Sequence, residues 1–200
     1  MGTRGFVGFQ SDDKETITYN QYDMYPSGCG VGVLEFVRVI ARDPHLEEAY
    51  KAKAASLKQV NQDTPPTRDE IVELIRHSNL NVSTRDAGEW YVLLRETHGV
   101  PSAILDCGYA EHMPEWPIDS LFCEWGYLID FDRRVLEVYE GFQTTPPTAG
   151  RWTSVRPEQR GELSSGDTYY PVKLVAEFAF DDLPTNDEFV AKLEPNEENE

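Results

Sequence analysis

Alternation of apolar and polar positions opens the chain. Arg4–Ser11 (RGFVGFQS) and Glu15–Tyr22 (ETITYNQY) are rich in β-branched and aromatic residues and flank the turn signal Asp12-Asp13-Lys14. Together they predict a β-hairpin. Pro26-Ser27-Gly28 breaks that pattern. Val31–Ala41 (VGVLEFVRVIA) is then apolar at nearly every position, as suits a helix packed on a sheet. Asp43-Pro44 pairs an N-cap with a proline at the first helical position, which predicts a second, more exposed helix running to Val60. Asn61–Pro66 reads as a loop, and Thr67-Arg68-Asp69-Glu70 as a capping box opening a helix over Ile71–His77.

A further helix is expected from Ser83-Thr84-Arg85-Asp86, with Trp90, Tyr91, Leu93 and Leu94 as its buried stripe and His98-Gly99 as its stop. Val100–Trp116 reads as irregular, apart from a short piece at Ala103-Ile104-Leu105. Ser120–Asp130 and Arg134–Phe142 are the clearest strands, joined at Phe131-Asp132-Arg133 into a second hairpin whose two arginines read as surface charges. Alternate residues of the first strand divide into Phe122, Glu124, Gly126 and Cys123, Trp125, Tyr127. Gln143–Gly166 is rich in proline and glycine and reads as a long loop. Tyr169–Phe180 alternates as a fifth strand, and Asp187–Leu193 suits a short helix.

Two strands, a block of helices and three more strands define the expected class. It is α+β, with antiparallel sheet or sheets covered by helices, and an αββα sandwich is its two-sheet form. Residues 1–194 form one expected domain, followed by an acidic tail over 195–200. The chain's 200 residues, 40% of them hydrophobic and 12% aromatic, are enough to bury a substantial core.

Charge narrows the range of partners. The net charge is −18, and residues 161–200 carry 11 acidic against 2 basic side chains. Such a surface repels phosphate backbones and anionic lipid, so neither nucleic acid nor membrane is an expected partner. No apolar run reaches the length of a membrane span. The N-terminal residues lack a signal-peptide pattern, and Cys29, Cys107 and Cys123 have no paired spacing. Both features point to free thiols in the cytoplasm.

Candidate chemistry concentrates between Thr18 and Val33 (TYNQYDMYPSGCGVGV). Tyr19, Tyr22 and Tyr25 combine flat apolar area with a hydroxyl, a combination favoured in pockets and interfaces. Asp23 could act as a base and Asn20 could offer its amide to a carbonyl or an oxyanion; both residue types also satisfy turn backbone. Gly28, Gly30 and Gly32 precede a helix as a phosphate cradle does, but the spacing does not match the dinucleotide fingerprint, and helix packing explains them better. Cys107, His112 and Cys123 match no structural zinc spacing, so neither a metal nor any other cofactor is expected. Glu124, Glu137 and Glu140 decorate the second hairpin as a carboxylate pair or as solvent-facing charges.

Four landmarks, MGTRG, YNQYDMYP, LLRETHG and LFCEWGYLIDFD, together resemble a family of uncharacterised microbial proteins to which no activity is attached. The first thirty residues also resemble the opening of the N-terminal-nucleophile hydrolases and glutamine amidotransferases. There a nucleophile begins the first strand, and a polar residue with an aspartate ends the second. The resemblance implies Thr3, Asn20 and Asp23 as catalytic residues, with Arg4, Tyr19, Tyr22 and Tyr25 around the ligand. Such a nucleophile must be the first residue of the processed chain, whereas removal of Met1 exposes Gly2.

Two functions follow. The first is a non-enzymatic cytosolic protein that uses its acidic surface and the aromatic–polar edge at residues 19–25 to hold a protein partner or a small ligand. The second is an amidohydrolase or amidotransferase of the N-terminal-nucleophile type, or a degenerate form of one.

Overall fold

Two β-hairpins lie side by side and a last strand completes the sheet. The computed structural model describes residues 2–155 and 169–195. Strands β1 (Gly5–Ser11) and β2 (Lys14–Asn20) form the first hairpin, closed by Asp12 and Asp13 at φ 51° and 60°. Two left-handed residues in succession give the turn whose twist matches that of paired strands. Helices α1 (Val31–Ala41) and α2 (Pro44–Ser56) follow, then a short strand β3 (Lys58–Val60) and helix α3 (Arg68–Leu74). Helices α4 (Trp90–Leu93) and α5 (Pro101–Cys107) lead to strand β4 (Tyr109–Glu111). Strands β5 (Trp125–Asp130) and β6 (Val135–Glu140) form the second hairpin, and β7 (Lys173–Ala179) and α6 (Asn186–Leu193) end the described chain.

The main sheet has the order β2-β1-β5-β6-β7, and β3 pairs with β4 in a separate ladder. The class is therefore α+β, but the main sheet is mixed rather than antiparallel throughout: β1 and β5 run parallel, from Gly5 beside Trp125 to Gln10 beside Asp130. The cause lies in the connection. Strand β2 ends beside the start of β1, and the helical stretch re-enters the sheet at that same end, which forces β5 to run with β1. The β3–β4 ladder is parallel too, and its two strands of three residues make a far smaller second sheet than an αββα sandwich calls for.

One face of the sheet is covered by helices. Val33, Leu34, Val37 and Ile40 of α1, Ile104 and Leu105 of α5, and Phe189 of α6 bury against Val7, Phe9, Tyr127 and Ile129. Each such side chain contributes about 1.5–3 kcal/mol through removal from water. The other face carries Phe6, Ile17, Leu128 and Tyr139, roofed by Trp152 and Val172. A third cluster, Leu74, Trp90, Leu93, Leu94 and Cys107, lies among α3, α4 and α5.

Several expected elements are shorter or different. Ser83 and Arg85 take left-handed φ values of 48° and 62°, so no helix starts at Ser83, and the helical turns begin at Trp90. The second helix stops at Ser56, and Lys58–Val60 is strand β3. Residues 120–124 are turned, not extended, with Phe122 and Cys123 donating backbone N–H groups to Asp119 O. Cys123 consequently packs with Leu128 on one face while Trp125 and Tyr127 point to the other. Arg133 and Arg134 do stand at the surface, and both are paired there: Arg133 with Glu137 and Glu177, Arg134 with Glu47 and Asp181. Most of the Gly/Pro-rich loop's second half and the acidic tail beyond Pro195 lie outside the described residues.

Candidate ligand-binding site

The end of the sheet where β1 and β5 start and β2 stops gathers most of the residues singled out in the sequence. Thr3 is buried, its Oγ1 has no partner among the described residues, and its carbonyl accepts Met24 N at 3.3 Å. Arg4 leaves this group: its guanidinium lies 4.8 Å from the Phe122 ring centroid. Asn20 is buried, donating from Nδ2 to Tyr22 O at 2.9 Å and to Met24 Sδ at 3.1 Å, while its Oδ1 is unpartnered among the described residues.

The chain then turns sharply. Asp23 takes φ 56° and its carbonyl accepts Cys29 N at 2.8 Å, leaving its side chain exposed. Tyr25 is exposed as well, with its carbonyl receiving Gly28 N and Gly30 N. The glycines serve packing here. A Cβ on Gly30 would stand 2.7 Å from Tyr127 Oη, which itself donates to Met24 O at 2.8 Å. Cys29 is a thiol, not a thiolate: burial and the Asp23 charge push it up to about 12, and its Sγ donates to Gly99 O. Cys107, His112 and Cys123 do not converge. Cys107 packs beside Trp90, Cys123 packs beneath the sheet, and His112 Nδ1 accepts Ile17 N at 3.1 Å.

The segment 90–99 completes the site, and the sequence pattern did not mark it as functional. Pro101 disfavours a helical Val100, which is extended at φ −112° and ψ 101°. Gly99 before it has φ 74°, and a Cβ there would meet Asn20 Nδ2 at 2.6 Å. The chain is thereby brought directly against the end of β2. Tyr19 packs edge-on against Trp116 at 4.6 Å and His98 at 6.5 Å, and Tyr91 against His98 at 5.3 Å. Tyr91 Oη also donates to Gln21 Oε1. Arg95 is only 5% exposed and lies 4.7 Å from the Tyr22 ring centroid and 5.6 Å from that of Tyr91.

Electrostatics follow from this burial. Desolvation, with the Arg95 charge adding to it, holds His98 down to about 3, so the imidazole is neutral. Desolvation raises the Tyr19 and Tyr91 phenols and the Glu111 carboxyl. A cleft of about 740 Å³ opens beside the cluster, between Tyr19 and Gln21 on one side and Trp90 and Tyr91 on the other. Behind Tyr19 is a much smaller cavity of about 10 Å³, bounded by His98 and Glu111. Its size is that of one water molecule, and His98 Nδ1 and Glu111 Oε1 have no partner among the described residues.

Of the residues expected from the sequence, Tyr19, Asn20 and Tyr22 come together, and Tyr91, Arg95 and His98 join them. The available signal for Arg95 was an arginine set directly after the apolar run WYVLL. The arrangement offers aromatic faces and polar groups along the cleft, with a buried cation, Arg95, against the Tyr91 ring that walls it. No family model, curated protein sequence or solved structure matches the chain, so the functional reading rests on this geometry.

Proposed function

We propose that the protein is a non-enzymatic cytosolic interaction protein that takes its partner at the aromatic–polar edge formed by residues 19–25 and the facing 90–95 segment. The observation that carries this reading is the cleft of about 740 Å³ walled by Tyr19 and Tyr91, with Tyr22 exposed at 45% beside it. Tyrosines presented in this way bury a large area at little entropic cost, and they recur among the residues that dominate binding energies. The net charge of −18 disfavours polyanions as partners.

The geometry gives less support to an N-terminal-nucleophile hydrolase. That chemistry needs Thr3 at the chain start with a reachable hydroxyl, and Thr3 is 2% exposed and preceded by Gly2. It also needs Asn20 free to meet a substrate, whereas its Nδ2 already serves Tyr22 O and Met24 Sδ.

The test is capture by the full chain as bait, with cross-linking, comparing it with a Tyr22→Ser, Tyr25→Ser double variant. Both side chains are half-exposed, so the variant should keep its far-UV spectrum. Captured partner should fall about tenfold, the loss expected for one hot-spot aromatic. Equal capture by both proteins would sink the proposal.

A further inference from the structure

We infer that Arg95 is the anchor of an anion site at this edge, reading a carboxylate carried on an apolar or aromatic body. The inference rests on the reading of the edge as a binding surface and names the chemistry it selects. Arg95 is the only arginine or lysine in the buried set among the described residues. A guanidinium so far removed from water needs hydrogen-bond acceptors, and a carboxylate is its best-matched partner. Other arginines of the chain have them: Arg133, Arg134 and Arg151 pair with carboxylates, and Arg38 reaches Asn186 Oδ1 and Pro184 O. Arg95 makes no ion pair and no side-chain hydrogen bond with any described residue, and its Nε is fully buried without an acceptor.

What holds Arg95 is a pair of ring contacts, with Tyr22 and Tyr91. Cation–π attraction uses the faces of a guanidinium and leaves its five N–H donors, which lie in the plane, unassigned. A donor fork without an acceptor matches a carboxylate edge-on through two parallel hydrogen bonds. Phosphate fits less well. One guanidinium balances one carboxylate charge, and a dianion would need a second cation within a molecule of net charge −18.

The surroundings say what the carboxylate is attached to. Tyr91 both touches Arg95 and walls the cleft, where Trp90 and Tyr19 add apolar surface. A ligand whose acid group meets Arg95 would therefore lay its body along aromatic rings. Tyr22 lies over the guanidinium and is itself half-exposed, and the proposed approach to Arg95 runs past this one surface side chain.

The experiment follows the Arg95 Nε–H resonance in the ¹⁵N-labelled full chain. The probes are N-acetyl-phenylalanine, its carboxamide, an acetylated tetrapeptide ending in phenylalanine, and inorganic phosphate. The acid should shift that resonance saturably at about millimolar concentration, the range of a single well-made anchor. The carboxamide and phosphate should leave it in place. Arg95→Lys, which keeps the charge and loses the fork, should weaken the acid at least tenfold. Tighter binding by the tetrapeptide assigns the carboxylate to a chain terminus, and equal binding assigns it to a small acid; either supports the site.

Acid and carboxamide binding alike, phosphate displacing the acid, or no shift of Arg95 would each overturn the inference, and none of these needs a variant that folds. Loss of the carboxylate site with a persisting Tyr22 and Tyr25 effect on capture leaves the edge reading standing. An Arg95 shift with unchanged capture removes the edge reading instead.

Discussion

His98 shows how one residue's burial becomes a measurable property of the fold. Folded, its imidazole is held at about 3, against 6.5 when exposed. Below about pH 6.5 the unfolded chain takes up a proton that the folded chain refuses. The stability this site contributes is therefore complete above 6.5 and is lost as pH falls toward 3, at no more than about 1.4 kcal/mol per pH unit. His77 and His112 are displaced in the same direction, and the raised Glu15 and Glu111 act oppositely. A single variant isolates the residue. His98→Gln should lose less stability between pH 7 and pH 5 than the parent chain, read as urea midpoints at matched slopes. Parallel losses in the two proteins would mean that His98 is charged in the fold.

At the scale of elements, the second hairpin depends on one side chain of the segment that crosses it. Arg151 reaches Glu137 Oε2 at 2.7 Å and Gln10 Oε1 at 3.2 Å and also bonds Asp130. Asp130 and Glu137 are both about 1% exposed, and Tyr139 Oη donates to Glu137 at 2.7 Å. Removing the cation leaves two carboxylates in a dry site. Arg151→Met should cost about 3–5 kcal/mol, at the lower end because Arg133 still pairs with Glu137. Adding Asp130→Asn and Glu137→Gln should restore much of the loss, since the stranded charges then disappear. Denaturant unfolding of the single and triple variants checks this; a triple variant as unstable as the single one would assign the loss to packing instead.

Elements with a long or self-contained signal were legible in the sequence. Val31–Ala41 is helical over its whole expected span, and Asp43 and the Thr67–Glu70 box cap the helices they announced. Strands β3 and β4 have three residues each, too few for any period to show. The site was half legible for the same reason. Tyr19, Asn20 and Tyr22 stand in one polar, aromatic stretch. Arg95 and Tyr91 reach them only through a fold contact some seventy positions away, as Tyr91 does in bonding Gln21. Read locally, Tyr91 was one more residue of a buried stripe.

Over the whole molecule, the net charge of −18 opposes compaction, while the ion pairs favour it, each only locally. Several of those pairs tie elements together: Lys51 meets Asp132, which also accepts the Asp12 and Asp13 N–H groups, so the two hairpin tips are joined through α2. Salt weakens both effects, and their ranges decide which weakens more. Raising ionic strength from 0.01 to 0.15 M shortens the screening length from about 30 Å to about 8 Å. That removes repulsion across the molecule but barely touches contacts near 3 Å. The Arg151 cluster, whose carboxylates are buried, is screened least of all. Sodium chloride over this range should therefore raise the melting temperature, by several degrees if about 1 kcal/mol of repulsion is relieved in a domain of this size. Scanning calorimetry at matched pH reads the sign directly. A melting temperature that falls with salt would show that the exposed pairs, not the distributed charge, set the molecule's electrostatic balance.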